Sequence, residues 1–211
     1  MTAMSGNKIK AVLFDFGGVI ADEGFRNGLF EIARKNGLDG GEFAETAREI
    51  IHDTGYLTGE GTEELFWKTL RSVTGIKGSD AELRDAILTR FTVRDWMLKL
   101  IVRLKENGAR LGILSDQTNW LGELEEHMKI FSFFEEVFNS YHLGKSKRDK
   151  TIFLDVVKAM GIEPGEALFV DDTEGHVARA REMGLHAVYF TGKESFLKQL
   201  SVFFPDLPGD F

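Results

Sequence analysis

Short apolar runs, each leading into a helical pattern that ends on glycine, constrain this chain more than any other feature. The runs are "IKAVLF" (9–14), "RLGILS" (110–115), "ALFV" (167–170) and "HAVYF" (186–190), with a weaker one at "EVFNS" (136–140). Continuous apolar runs mark strands buried on both faces, as in a parallel sheet covered by helices on each side. Between them Val93, Met97, Leu100, Ile101 and Leu104 fall at helical spacing, with Gly108 just beyond as a stop. Ile152, Phe153, Val156, Val157 and Met160 repeat the pattern before Gly161, as do Val177, Ala180 and Met183 before Gly184. Strand, helix, glycine, strand is the rhythm of βα units, and it predicts an α/β fold with a doubly wound parallel sheet, Rossmann-like in layout.

One interval breaks the rhythm. A βαβ unit takes about 30 residues, yet Ala21 and Phe91 are separated by more than twice that. The interval is rich in helix formers, and "SDAE" (79–82) is a capping-box pattern opening its last helix. A structureless loop of that length does not suit a compact domain. The expectation is a small helical cap domain at 22–92, inserted into a core domain made of 1–21 and 93–211.

At 211 residues, 43% of them hydrophobic, the chain can bury a core without disulfide or metal staples. The absence of cysteine excludes thiol catalysis and Cys-ligated zinc. A formal charge of −8 argues against nucleic acid and against an anionic membrane surface as partners. The opening "MTAMSGNKIK" lacks a signal-peptide core, and the apolar run after it is broken by Asp15, so a cytoplasmic location is expected.

Ligands of open parallel sheets bind beyond the carboxyl ends of the strands. The residues there are Asp15, Ser115 with Asp116, and Asp171 with Asp172, while Lys147 lies in the loop "GKSKRDK". Singly, each is an ordinary cap or a solvated charge. Together, three carboxylates on one rim repel each other unless a cation sits among them, and oxygen-only ligands suit Mg²⁺. A lysine and a serine beside such a cation would hold a phosphoryl group against it.

The order Asp, Ser, Lys, Asp-Asp on successive strand ends resembles the haloacid dehalogenase-like hydrolases. "FDFGGVI", "GILSDQTNW", "YHLGKSKRDKTIF" and "FVDDTEGHVARAREMG" carry the likeness, which runs from about residue 9 to 192 and includes the inserted cap. The flanking "LG" and "D..IF" set a register that places the family lysine at Lys147 rather than Lys145. The resemblance implies Asp15 as the nucleophile that forms an aspartyl-phosphate, with Ser115 and Lys147 holding the transferring group. It implies Mg²⁺ on Asp15, the Gly17 carbonyl and Asp172, with Asp171 acting through water or by orienting. Backbone N–H groups after Asp15 and Ser115, those of Phe16, Gly17 and Asp116, would supply further phosphate donors.

The family's phosphatases usually carry a second aspartate two residues after the nucleophile, to protonate the leaving oxygen. Here that position is Gly17. The expectation is a Mg²⁺-dependent phosphatase of a small phosphorylated metabolite, monomeric or homodimeric, favouring good leaving groups such as sugar phosphates. Two alternatives stay open: a dehalogenase-type hydrolase attacking carbon, and a non-catalytic member that binds a phospho-ligand or protein. Asp22 and Glu23, at the entry to the insertion, are candidate substitutes for the missing acid, and His176 is left without a role. The aromatic residues of the insertion (Phe25, Phe43, Tyr56, Phe66, Trp67) line a substrate surface or hold the helices together. The apolar tail "VFFPDLPGDF" packs back on the domain or joins a partner chain.

Overall fold

The run Ala11–Phe14 (β1) is buried along its whole length, and both its neighbours are parallel to it. A computed structural model describes residues 8–207; "MTAMSGN" at the start, which carries most of the signal-peptide reading, and "PGDF" at 208–211 lie outside the described residues. After β1 come α1 (Gly24–Asn36), α2 (Gly40–Asp53), α3 (Glu63–Thr74) and α4 (Asp80–Leu88). The chain then alternates: α5 (Asp95–Glu106), β2 (Arg110–Ser115), α6 (Trp120–Met128), β3 (Glu136–Asn139), a single turn α7 (Ser140–Leu143) and α8 (Thr151–Ala159). It closes with β4 (Ala167–Asp171), α9 (Glu174–Glu182), β5 (His186–Tyr189) and α10 (Lys193–Leu200).

The five strands are all parallel, in the order β3-β2-β1-β4-β5, with helices on both faces. Connections run outward from β1 in both directions, so the strand order reverses between β1 and β4. Doubly wound sheets place their ligands in the crevice at that point. Alternate residues of the strands serve two apolar layers. Val12 and Phe14 join the layer of α5, α6 and α10, whereas Leu13 and Phe169 join that of α8 and α9.

The interval after β1 holds four helices, and "SDAE" forms the capping box: Ser79 Oγ accepts from the Glu82 amide while Glu82 accepts from the Ser79 amide. The chain enters and leaves this insertion through a paired neck, with Asp22 N–H donating to the Thr92 carbonyl and Arg94 N–H to the Ile20 carbonyl, both at 2.9 Å. Phe43, Tyr56, Phe66 and Trp67 are buried in one cluster continuous with the sheet layer, while Phe25 faces the cleft described below. Most of the insertion's aromatics therefore serve packing. Polar contacts also cross from the insertion to the sheet domain: Trp120 Nε1 donates to Glu63 at 2.9 Å and Tyr56 Oη to Asn119 at 2.6 Å. Of the apolar tail, Phe203, Phe204 and Leu207 pack back onto the domain. Among the described residues no helix is long and apolar enough to cross a membrane.

Candidate active site

The strand ends meet at the reversal between β1 and β4. Asp15 directly follows β1, and its amide continues the ladder by donating to the Val170 carbonyl at 2.9 Å. Ser115 ends β2 and Asp171 ends β4; in the sheet register Asp171 stands level with Asp15, and Ser115 lies one residue further along its strand. Beyond these ends opens a cleft of about 550 Å³, lined by Asp15, Gly17, Ser115, Asp116 and Asp172 from the sheet side and by α1 and α2 from the insertion.

Lys147 lies beneath this cleft and is completely buried. Its ammonium is 3.0 Å from Asp15 Oδ1 and 2.6 Å from Asp171 Oδ2, and it sits over the Phe169 ring at 5.5 Å. Lys145 points elsewhere, to Thr151 and Asp155 on the surface. The loop thus carries one lysine to the strand ends and ties the other down near the surface. Asp116 sets the loop's position: Oδ1 and Oδ2 accept from the Lys147 amide at 2.9 and 3.2 Å, and Oδ1 also accepts from Ser140 Oγ at 2.5 Å.

Asp15 Oδ1 also accepts from the Phe16 amide, at 2.7 Å. The expected phosphate donor thus engages the Asp15 carboxylate. The Phe16 ring turns away from the cleft and stacks on Phe91.

The charges are unequal in their comfort. Burial works against the Lys147 ammonium, but Asp15, Asp171 and Asp116 outweigh it and hold the lysine above its ordinary range. Burial likewise opposes ionisation of Asp171, yet Lys147 and His176 pull it well below the usual carboxylate range. Asp15 has the more distant share of the ammonium and two acidic neighbours, and burial pushes it well above that range. Asp172 is raised by burial and by Asp171. Carboxylate oxygens of Asp15, Asp171 and Asp172 all lie within 4.8 Å of one another. One ammonium does not neutralise three carboxylates, and a hard divalent cation among these oxygens would. The donor set fits Mg²⁺.

Room for Asp172 depends on Gly18, whose φ is +80°. A Cβ there would stand 2.0 Å from Asp172 Oδ2. Strain from the left-handed backbone and the clash act together, so Gly18→Ala is expected to lower stability by about 1–3 kcal/mol, read by urea unfolding.

Two further groups lie here: His176, left without a role in the sequence, and Glu23, one of the two candidate substitutes for the missing acid. His176, in the first turns of α9, brings Nδ1 to 3.2 Å from Asp171 Oδ2 and also faces the cleft. Glu23 caps α1 and lines the cleft. The "DDT" stretch just before α9 was the signal that could have drawn attention to His176. Asp22 turns away, pairing with Arg94 at 3.2 Å.

A family model of the haloacid dehalogenase-like hydrolases matches residues 9–184, and the chain belongs to this hydrolase family. It is 27% identical over 206 residues to D-ribitol-5-phosphate phosphatase of Bacteroides thetaiotaomicron, covering 92% of this chain and 98% of that protein. It is also 27% identical over 129 residues to flavin mononucleotide hydrolase 1 of Arabidopsis thaliana, covering 60% of this chain but only 53% of the relative. A haloacid dehalogenase-like enzyme of Bacteroides thetaiotaomicron, solved with magnesium and inorganic phosphate, superimposes with a TM-score of 0.70 at 23% identity, over 90% of this chain and 98% of that one.

Proposed function

We propose that this chain is a Mg²⁺-dependent phosphatase that hydrolyses a small phosphate monoester through an aspartyl-phosphate on Asp15. The observation that carries the reading is the cluster of three carboxylates with oxygens within 4.8 Å of one another, two of them paired with a single buried ammonium. A hydrolase that attacks carbon needs no such excess of negative charge, whereas phosphoryl transfer uses a bound cation to neutralise it. Mg²⁺, held by Asp15 and Asp172, would offset the charge of the transferring group. The likeness to D-ribitol-5-phosphate phosphatase along nearly the whole chain points the same way.

The chain's own residues do the rest. Asp15 Oδ1 is pinned by the Phe16 amide and Lys147, which leaves Oδ2 to attack phosphorus in line with the leaving oxygen. Ser115 lines the cleft beside it and donates its hydroxyl to a phosphoryl oxygen. Lys147 balances the negative charge from below, and Asp116 positions it through its backbone. Water then attacks the aspartyl-phosphate, releasing inorganic phosphate and restoring Asp15. Cleft size limits the substrate to a small metabolite. Arg26 and Arg48 from the insertion, with Arg179 from α9, give the cleft walls donors for an anionic, hydroxyl-rich one such as a sugar phosphate.

The test is phosphate release from a panel of sugar and aryl phosphates, with Mg²⁺ or with chelator. Turnover that requires Mg²⁺ is the expected result. Absence of phosphate release, with halide release from 2-haloacids in chelator, would replace the reading by attack on carbon.

A further inference from the structure

The position from which a second aspartate would serve the leaving group is Gly17, which has no side chain. A phosphatase of alkyl esters still needs a proton there, so the question is what else reaches that space. A Cβ built on Gly17 would meet the Phe91 ring at 3.3 Å and, as its only polar neighbour within 4 Å, Glu23 Oε1 at 3.7 Å. Glu23 therefore brings a carboxyl group, beside the Phe91 ring, close to the volume that an aspartate at 17 would reach.

Its two oxygens are distinguished. Oε2 accepts from the Arg26 amide at 2.6 Å as the N-cap of α1, which fixes the side chain. Oε1 is the oxygen on the Gly17 side. Glu23 stands outside the three-carboxylate cluster and lines the same cleft as Asp15 and Ser115. Neighbouring Asp22 is excluded, since its carboxylate is about half exposed and paired with Arg94.

We propose that Glu23 is the general acid and base of this site, delivered by the inserted helices in place of the aspartate that Gly17 lacks. The inference rests on the phosphatase reading. In the first step Asp15 Oδ2 forms a bond to phosphorus, the bond from phosphorus to the ester oxygen breaks, and the proton on Glu23 passes to that oxygen. In the second, the Glu23 carboxylate takes a proton from water as the water oxygen bonds to phosphorus and the Asp15–phosphorus bond breaks. Asp15, protonated Glu23 and inorganic phosphate result. Burial lifts the Glu23 carboxyl to about 7, against the pull of the Arg26 amide, so a proton is at hand near neutral pH. Because α1 carries the acid, catalysis and the seating of the insertion are linked.

The test compares Glu23→Gln with the unaltered protein on phosphate esters of graded leaving-group acidity, from 2,4-dinitrophenyl phosphate to an alkyl phosphate, in Mg²⁺. Glutamine keeps an oxygen for the Arg26 amide, and unfolding curves check that the fold is retained. The expected result is a loss in kcat/KM of about 10²–10⁴-fold on the alkyl ester and a far smaller loss on the dinitrophenyl ester. The latter should show a burst of dinitrophenolate, because hydrolysis of the aspartyl-phosphate loses its base. Asp22→Asn should behave as the unaltered protein does. Equal losses along the whole series, or no loss on the alkyl ester, would overturn the role of Glu23 while leaving the phosphatase reading intact. Failure of the unaltered protein to turn over any ester overturns both.

Discussion

Lys147→Met is expected to cost the fold about 3–5 kcal/mol at neutral pH, a loss set by what the lysine leaves behind. Methionine fills much of the same space, so packing changes little. The ammonium, however, is what lets Asp171, itself completely buried, exist as a carboxylate. Without it Asp171 and Asp15 face each other and Asp172 with no lysine ammonium among them. The sign with pH follows. In the native protein Asp171 is held below its ordinary range, so its contribution is present above about pH 4 and fades as pH falls through the lowered value. In the variant the same carboxyl is pushed up by burial, so acid protonates it in the folded state first and relieves the strain. The gap between variant and native protein should therefore narrow as pH falls toward about 4. Mg²⁺ should narrow it too at neutral pH, by supplying the missing positive charge. Urea unfolding of both proteins at pH 7.5 and pH 4.5, with and without Mg²⁺, measures all of this. A loss below about 1 kcal/mol at neutral pH would mean the carboxylates are solvated well enough to need no buried cation.

The sheet was legible because its information is local. A strand buried on both faces must be apolar at every position, and β1 is buried at every position. The helices announced their ends in the same way, as at Gly108, where the backbone takes φ +82° after α5. Positions of the polar residues followed from one rule, that the residue after each strand faces the ligand crevice. The choice between Lys145 and Lys147 needed register rather than periodicity, and the structure carries Lys147 inward. What stayed hidden is contact between distant stretches. Glu63 holds the indole of Trp120, 57 residues further along the chain, and no pattern within either segment records that pairing. Glu23 was legible only as one of two candidates, because the sequence offers it beside Asp22 with nothing to choose between them; in the fold one of its oxygens caps α1. Only the fold shows that its other oxygen looks toward Gly17.

Asp15→Asn is expected to lower turnover by about 10⁴–10⁶-fold while leaving the protein folded, and the pairing of those two results gives the substitution its force. Asparagine is nearly isosteric, and its Oδ1 still accepts from the Phe16 amide and from Lys147. What is lost is the second carboxylate oxygen. An amide nitrogen in its place is not a nucleophile toward phosphorus and is no ligand for Mg²⁺. Stability should move the other way or not at all. Asp15 has a folded-state pKa above its ordinary value, so ionising it works against folding as pH rises toward and through the raised value. Removing the charge removes that cost, so metal-free Asp15→Asn should equal or exceed the unaltered protein at pH 7.5, with the difference vanishing as pH falls below about 4. Added Mg²⁺ should stabilise the unaltered protein more than the variant, because a ligand stabilises the state that binds it in proportion to its affinity. Thermal unfolding with and without Mg²⁺, beside phosphate-release assays, separates the cases. Retained turnover in Asp15→Asn would remove the aspartyl-phosphate from the mechanism. Lost turnover with lost folding would mean that the carboxylate serves the sheet end rather than the chemistry.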